Sequence, residues 1–274
     1  MVTGAGGGLG RALALKFASE GARVAALDRD PAGLDGTRAE LESRSVECLA
    51  LQCDVTDADA CAQAVAATVQ RFGSLDVLVA NAGMSHRSAF ATTGLDVVRR
   101  VMEVNFFGAV NCTRAALPHL LASRGLVVAV SSVAGYTPLL ARTGYSASKH
   151  ALHGFFDSLR TELEPCGVGV ALACPSFIAT RIDRNAIGGD GLPVQHAQVT
   201  VGRPLTPDRA AELIVAGAQR GRRLVLVGRT ARIAWWLSRV APGFYARLMA
   251  QRMRGELESS DTPAQAGPDP TGSR

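Results

Sequence analysis

Short β-branched runs at 23–28, 46–52, 76–80, 126–131, 168–174 and 223–227 alternate with longer stretches of helical periodicity around 8–20, 31–44, 57–72, 94–122, 144–165 and 207–219. The short runs show little polar alternation, as strands covered on both faces do. Alternation sustained over this length, with no internal repeat, predicts an α/β chain: a doubly wound parallel sheet with helices on both faces. The chain of 274 residues, 47% hydrophobic and 19% charged, has the apolar content to fill such a core, which excludes a disordered or fibrous protein. No apolar run reaches the roughly 18 residues of a conventional transmembrane helix, and the first residues lack a secretory signal. Six cysteines without a C-x-x-C pair read as reduced thiols, hence a cytoplasmic protein. The five histidines form no ligand cluster, so no metal is expected.

The first helix is preceded by Thr3-Gly4-Ala5-Gly6-Gly7-Gly8-Leu9-Gly10. Glycines there let the backbone turn tightly and approach a pyrophosphate, which the helix N-terminus favours. The run does not satisfy G-x-G-x-x-G but fits T-G-x-x-x-G-x-G through Gly4, Gly8 and Gly10. Only Met1 and Val2 precede it, short for a central strand, so the natural start is expected upstream. Asp28 ends the second strand, where a carboxylate accepts from ribose hydroxyls and repels a 2′-phosphate; NAD is expected over NADP, with Arg29 softening the preference. Asp54-Val55 follows the third strand and Asn81-Ala82-Gly83 the fourth, either as turn residues or as the adenosine side of a cofactor cleft. The fold expected is Rossmann-like, a single domain with a C-terminal helical extension.

Tyr145 and Lys149 stand four residues apart on one helix face. Only two of the 29 basic residues are lysines, so Lys149 marks a site where an amine is needed rather than mere charge. Ser132 lies 13 residues before Tyr145, at the end of the fifth strand, and Asn105 interrupts the apolar pattern of the long helix. Together with Thr3–Gly10, Asp54, Asn81–Gly83 and Pro175, these motifs, in order and at spacing, resemble the short-chain dehydrogenase/reductase family, compact single-domain branch, over residues 1–220. The stretch from Tyr145 to Arg160 further resembles members acting on lipophilic alcohols and ketones.

The chemistry also follows from the residues. Interconverting a secondary alcohol and a ketone needs a hydride carrier and a proton shuttle. A free tyrosine titrates near 10, and a neighbouring ammonium favours its phenolate. Tyr145 is the expected shuttle, Lys149 the ammonium and ribose contact, and Ser132 the donor to the substrate oxygen. The resemblance adds Asn105, through a water beside Lys149; main-chain contacts from Ile178; and a hydroxyl from Thr180. Ser176 stands where the family usually has glycine, which restricts that loop. Residues 181–205 resemble a substrate-covering lid.

The net charge of +5 is local: from Leu213 to Gly255 there is no Asp or Glu and there are nine arginines. Ile233, Trp236, Leu237 and Val240 share a helical face beside Arg232 and Arg239. The division expected is a dinucleotide-binding catalytic domain at 1–228, a basic amphipathic helical segment at 229–254 and a disordered tail at 255–274. The segment either closes the substrate pocket, packs on a partner subunit, or lies on the inner face of an anionic membrane. Nucleic acid is not an expected partner, because no basic face exists elsewhere. The resemblance implies a homodimer or homotetramer through helices 94–122 and 144–165. The reading is an NAD-dependent oxidoreductase acting on a lipophilic secondary alcohol or ketone, a small-molecule alcohol or carbonyl substrate. The alternatives are a non-catalytic dinucleotide sensor or membrane adaptor, and a sugar-nucleotide epimerase, for which little chain remains after residue 220.

Overall fold

The computed structural model describes residues 1–180 and 185–260. Seven strands form one parallel sheet in the order β3-β2-β1-β4-β5-β6-β7: β1 (Val2–Thr3), β2 (Val24–Asp28), β3 (Cys48–Gln52), β4 (Val77–Ala80), β5 (Leu126–Val130), β6 (Gly169–Pro175) and β7 (Leu224–Val227). The order reverses between β1 and β4, and the crevice at the carboxyl ends of such strands is where open α/β sheets bind ligands. Although only two residues long, β1 lies centrally, registering Val2 with Ala26 of β2 and Val79 of β4.

Successive strand residues face opposite layers, so near-continuous apolar runs feed two cores. Leu27 and Ala129 join the core under α3 (Ala58–Phe72), α5 (Gly108–Ser123) and α6 (Thr143–Leu163). Ala26 and Val128 join the one under α1 (Gly8–Ser19), α2 (Pro31–Ser43) and α7 (Pro207–Gln219). The helix starts obey local chemistry. Asp30 caps α2 before Pro31, Asp57 accepts from Asp59 and Ala60 at the start of α3, and Thr206 caps α7 before Pro207.

Two expectations change. The helix read as continuous over 94–122 is α4 (Leu95–Met102) and α5 joined by a π-helical turn, Glu103–Phe107, that carries Asn105. A π-turn inserts one extra residue per turn, which swings a polar side chain inward where straight periodicity would not.

The tail expected to be unstructured from 255 is also corrected in part. After α8 (Arg229–Val240) and α9 (Pro242–Arg252), residues Arg254–Ser260 form α10, and Glu256 on it is fully buried. A specific ion pair, described below, overrides the polar composition of that stretch. Residues 261–274 lie outside the described residues. α8 and α9 close a third core around Ala231, Ala234, Tyr245, Met249 and Met253, packed on Tyr136, Leu139 and Leu226.

Candidate active site

A cavity of about 1160 Å³ runs along the carboxyl edge of the sheet, from the glycine loop to the C-terminal arm. Its first end is built from backbone. Gly4 and Gly8 occupy the left-handed region at φ +66° and +52°, which side-chain-bearing residues avoid. A Cβ on Gly10 would sit 1.9 Å from the Gly4 carbonyl oxygen, so glycine is required there by close approach rather than by φ. Leu9 and Gly10, in the first turn of α1, line the cavity. Free N–H groups of a helix start therefore face the space where a pyrophosphate fits.

Asp28 is held in place rather than merely exposed there: its carboxylate accepts from Gly6 N at 2.8 Å and Asp30 N at 3.0 Å. Asp54 accepts from the amide and hydroxyl of Thr56, at 2.9 and 2.8 Å, and the amide keeps its carboxyl below the usual range. Asp28, Asp54, Val55, Asn81, Ala82 and Gly83 all line the cavity. Thr3 does not. Buried behind the wall, its hydroxyl oxygen accepts from the amides of Asn81 and Ala82, both at 3.0 Å. The Asn81 side chain returns the tie by donating to Thr3 O at 2.9 Å. The loops after β1 and β4 are thus locked to each other.

At the middle of the cavity stand Ser132, Tyr145 and Lys149. The Ser132 hydroxyl oxygen accepts from Ala134 N at 3.1 Å, capping a short 3-10 turn, which leaves its proton free to donate outward. Lys149 is 5% exposed, its ammonium donates to Val130 O at 3.0 Å and it lies 5.8 Å from the centre of the Tyr145 ring. Burial pulls its pKa down to about 8.

Asn105 sits behind these groups. Its carboxamide accepts from Met84 N at 2.8 Å and donates to Met84 O at 3.0 Å and Ser148 Oγ at 2.9 Å. It clamps the loop after β4 to α6 and closely approaches Gly83, where a Cβ would lie 3.1 Å from Asn105 Oδ1.

Pro175, Ile178 and Thr180 line the cavity beyond β6, and the Thr180 side chain comes within 3.2 Å of a Cβ placed on Gly8. Ser176 is not in the left-handed region, so the expected restriction of that loop does not strain it. Of the expected lid, 181–184 lie outside the described residues. The remainder is anchored by Ile187 to His86 and by Leu205 to Ile178.

At the far end of the cavity, Ser85, Leu139 and Arg142 are what sequence reasoning missed, while the C-terminal arm reaches it as one of the expected alternatives had it. Ser85 and Arg142 line it, with Leu139 from the loop before α6 and Ile233, Leu237 and Leu248 from the C-terminal arm. Arg142 follows Ala141, a buried residue at φ +55°, and donates to Ser85 Oγ at 3.0 Å. Behind it, Arg87 Nε donates to Glu256 at 3.1 Å, and its Nη2 donates to the carbonyls of His196 and Ala197. Glu256 also accepts from Val199 N at 2.5 Å and lies 3.7 Å from Arg142. His86 is fully buried, and desolvation, aided by Arg142, pushes its pKa down to about 4. One signal was available: Glu256 is the first acid after a run of 43 residues without one, beginning at Leu213.

A family model described as short chain dehydrogenase matches residues 1–188. The chain belongs to the short-chain dehydrogenase/reductase family. Its similarity to dehydrogenase/reductase SDR family member 7B of Bos taurus is 37% identity over 267 residues, covering 94% of this chain and 82% of that protein. Among solved structures, a short-chain dehydrogenase from Streptomyces avermitilis superposes with a TM-score of 0.78 at 27% identity, covering 93% of this chain and 97% of that one. A family member from Burkholderia phymatum, solved in complex with NAD, superposes at 0.75 with 24% identity and 96% coverage of both chains, which shows the shared fold. Family membership makes this an oxidoreductase of the NAD(P)-dependent dehydrogenase/reductase type. The glycine cradle and the acceptors along the sheet edge fit such a dinucleotide.

Proposed function

We propose that this protein is an NAD-dependent alcohol dehydrogenase or ketone reductase acting on a lipophilic secondary alcohol or carbonyl compound. The observation that carries the cofactor choice is Asp28, whose carboxylate the Gly6 and Asp30 amides hold at the edge of the cavity. A fixed carboxylate accepts from the ribose hydroxyls and disfavours a 2′-phosphate. The apolar lining from Leu139, Ile233, Leu237 and Leu248 supports the substrate class, because it offers contact area to hydrocarbon, interspersed with the polar Ser85, Arg142, Asn185, Gln198, Thr230 and Arg252.

A bound nicotinamide dinucleotide supplies or accepts the hydride. In the reduction direction, the Tyr145 hydroxyl gives its proton to the substrate oxygen, while Ser132 donates a hydrogen bond that holds that oxygen and stabilises its developing charge. Lys149 keeps two protons free beyond its bond to Val130 O, for the ribose hydroxyls and for support of the Tyr145 phenolate. Lys149 is buried, and a planar guanidinium cannot reproduce the compact ammonium there, so Lys149→Arg is expected to fail despite keeping the charge.

A spectrophotometric screen of secondary alcohols and ketones with both cofactors tests this reading. Turnover with NAD on medium-chain or cyclic apolar substrates is the expected result. A tenfold preference for NADP, about 1.4 kcal/mol, or activity confined to small hydrophilic substrates, would overturn it.

A further inference from the structure

We propose that the outer face of α8 and the start of α9 is a docking surface for an anionic lipid bilayer. Ile233, Trp236, Val240 and Phe244 are 61, 65, 73 and 60% exposed. The spacing of three and four places Ile233, Trp236 and Val240 on one stripe of α8, and Phe244 is exposed in the first turn of α9, just past the break at Ala241–Pro242. Arg229, Arg232, Arg239 and Arg247 are exposed on and beside the stripe. Among the described residues none of these four pairs with a carboxylate, and Arg239 stacks 4.0 Å over the ring of Trp235. The one acid of the arm whose side chain is described, Glu256, is buried against Arg87.

The charge pattern chooses between occupants. A second copy meeting this face across a two-fold axis would bring arginines against the same arginines with no acid to pair them. Residues 261–274 carry no large apolar side chain with which to cover the stripe. An anionic bilayer answers both features, phosphates for the guanidinium groups and the acyl boundary for tryptophan, phenylalanine and aliphatic side chains. The twelve residues of α8 reach about 18 Å, and no described helix is long and apolar enough to cross a membrane, so the contact lies in the interface plane.

The stripe also borders the cavity. Ile233 belongs to both, and Leu237 and Leu248 continue inward from it. Resting on the proposed lipophilic substrate, this places the mouth of the site against the leaflet, where such a compound concentrates.

The test is co-sedimentation of the full chain with vesicles of phosphatidylcholine alone, and of phosphatidylcholine with about a third phosphatidylserine, at low and at physiological salt. At least tenfold more protein should pellet with the anionic vesicles at low salt, and less as salt is added. Trp236→Ala with Phe244→Ala should reduce binding about tenfold, while Arg232→Gln with Arg247→Gln should erase the preference for anionic lipid. None of these four side chains lines the cavity, so turnover of a water-soluble substrate should be unchanged in both variants, which also reports that they fold. No sedimentation of the wild type with anionic vesicles at low salt would overturn the proposal. So would equal binding by the aromatic variant, or a wild-type dimer in light scattering that this variant converts to monomer. Sedimentation reads independently of turnover, so failure of the oxidoreductase reading and failure of this one are distinguishable.

Discussion

The two ends of the cavity are built by opposite means. The dinucleotide end consists of backbone held at close range: Gly4, Gly8 and Gly10 around a helix start, with Asp28, Thr3 and Asn81 locking the loops. The substrate end consists of side chains that converge from β4's loop, the lid, the start of α6 and the C-terminal helices α8 and α9, held by a buried Arg87–Glu256 pair. The glycine loop of the first is local in sequence and set by short-range geometry, and its ties reach 22 residues to Asp28 and 78 to Asn81. The second exists only when segments up to 169 residues apart are brought together. The comparison teaches that recognition of the common cofactor and recognition of the particular substrate are separable. Perturbing one end should leave the other readable.

The largest expected effect falls at the junction of the two ends. Tyr145→Phe removes the proton donor without touching the glycine cradle. Turnover should drop by at least the roughly 10²–10⁴-fold typical of lost general acid–base catalysis, with dinucleotide affinity by fluorescence titration close to wild type. Near-normal kcat would end the proposed mechanism.

The next effect separates the ends directly. Glu256→Ala leaves the Arg87 guanidinium buried without its carboxylate, a loss on the order of 3–5 kcal/mol. The loss should be local to the arm. Hydrogen exchange should rise over 196–199 and 242–257, KM for bulky substrates should increase, and cofactor affinity should hold. A uniform rise across the sheet would show that the two ends unfold as one.

Acid provides a third perturbation of the substrate end. His86 titrates at 6.5 when unfolded and at about 4 in its buried site, so the unfolded chain binds more protons between those values. Stability present above pH 6.5 is therefore lost as pH falls toward 4, by about 3 kcal/mol for a shift of this size. His153, also held down to about 4, adds in the same window. Thermal melts from pH 7.5 to 4.5 should show this slope, and His86→Asn should flatten it even where it lowers the plateau.

The smallest effect sharpens the dinucleotide end. Asp28→Ala removes both a ribose acceptor and a repulsion, and should move the NADP-to-NAD ratio of kcat/KM about tenfold toward NADP, near 1.4 kcal/mol. The substrate profile should not change. An unchanged ratio would assign cofactor choice to another group, with Arg29 the nearest cation in sequence.

Much of the fold was legible because its signals are local. Apolar runs, caps such as Asp30-Pro31 and Thr206-Pro207, and the glycine spacing each state their geometry within a few residues. The helical period likewise put Tyr145 and Lys149 on one face, and the resemblance joined Ser132 to them; all three line one cavity. Thr3 and Asn105 were named from sequence, yet the structure puts them behind the wall, bonding loops together. A polar residue that orients another leaves the same mark in a sequence as one that faces a ligand. The π-turn at Glu103–Phe107 escaped because an inserted residue does not disturb the apolar count, only the phase of the helix beyond it.

By itself, then, the sequence determined the strand–helix alternation of a parallel sheet, the phosphate-facing glycine loop and the Tyr145–Lys149 pair, because each is signalled by residues close together in the chain. Only the tertiary structure decided that α8 and α9 wall the cavity, that Ala141 turns Arg142 into it, and that Glu256 is a buried anchor rather than part of a loose tail. The physical reason is burial. A carboxylate in a polar stretch looks solvated until its partner, here Arg87 in the loop after β4, removes it from water, and no local pattern encodes a partner 169 residues away.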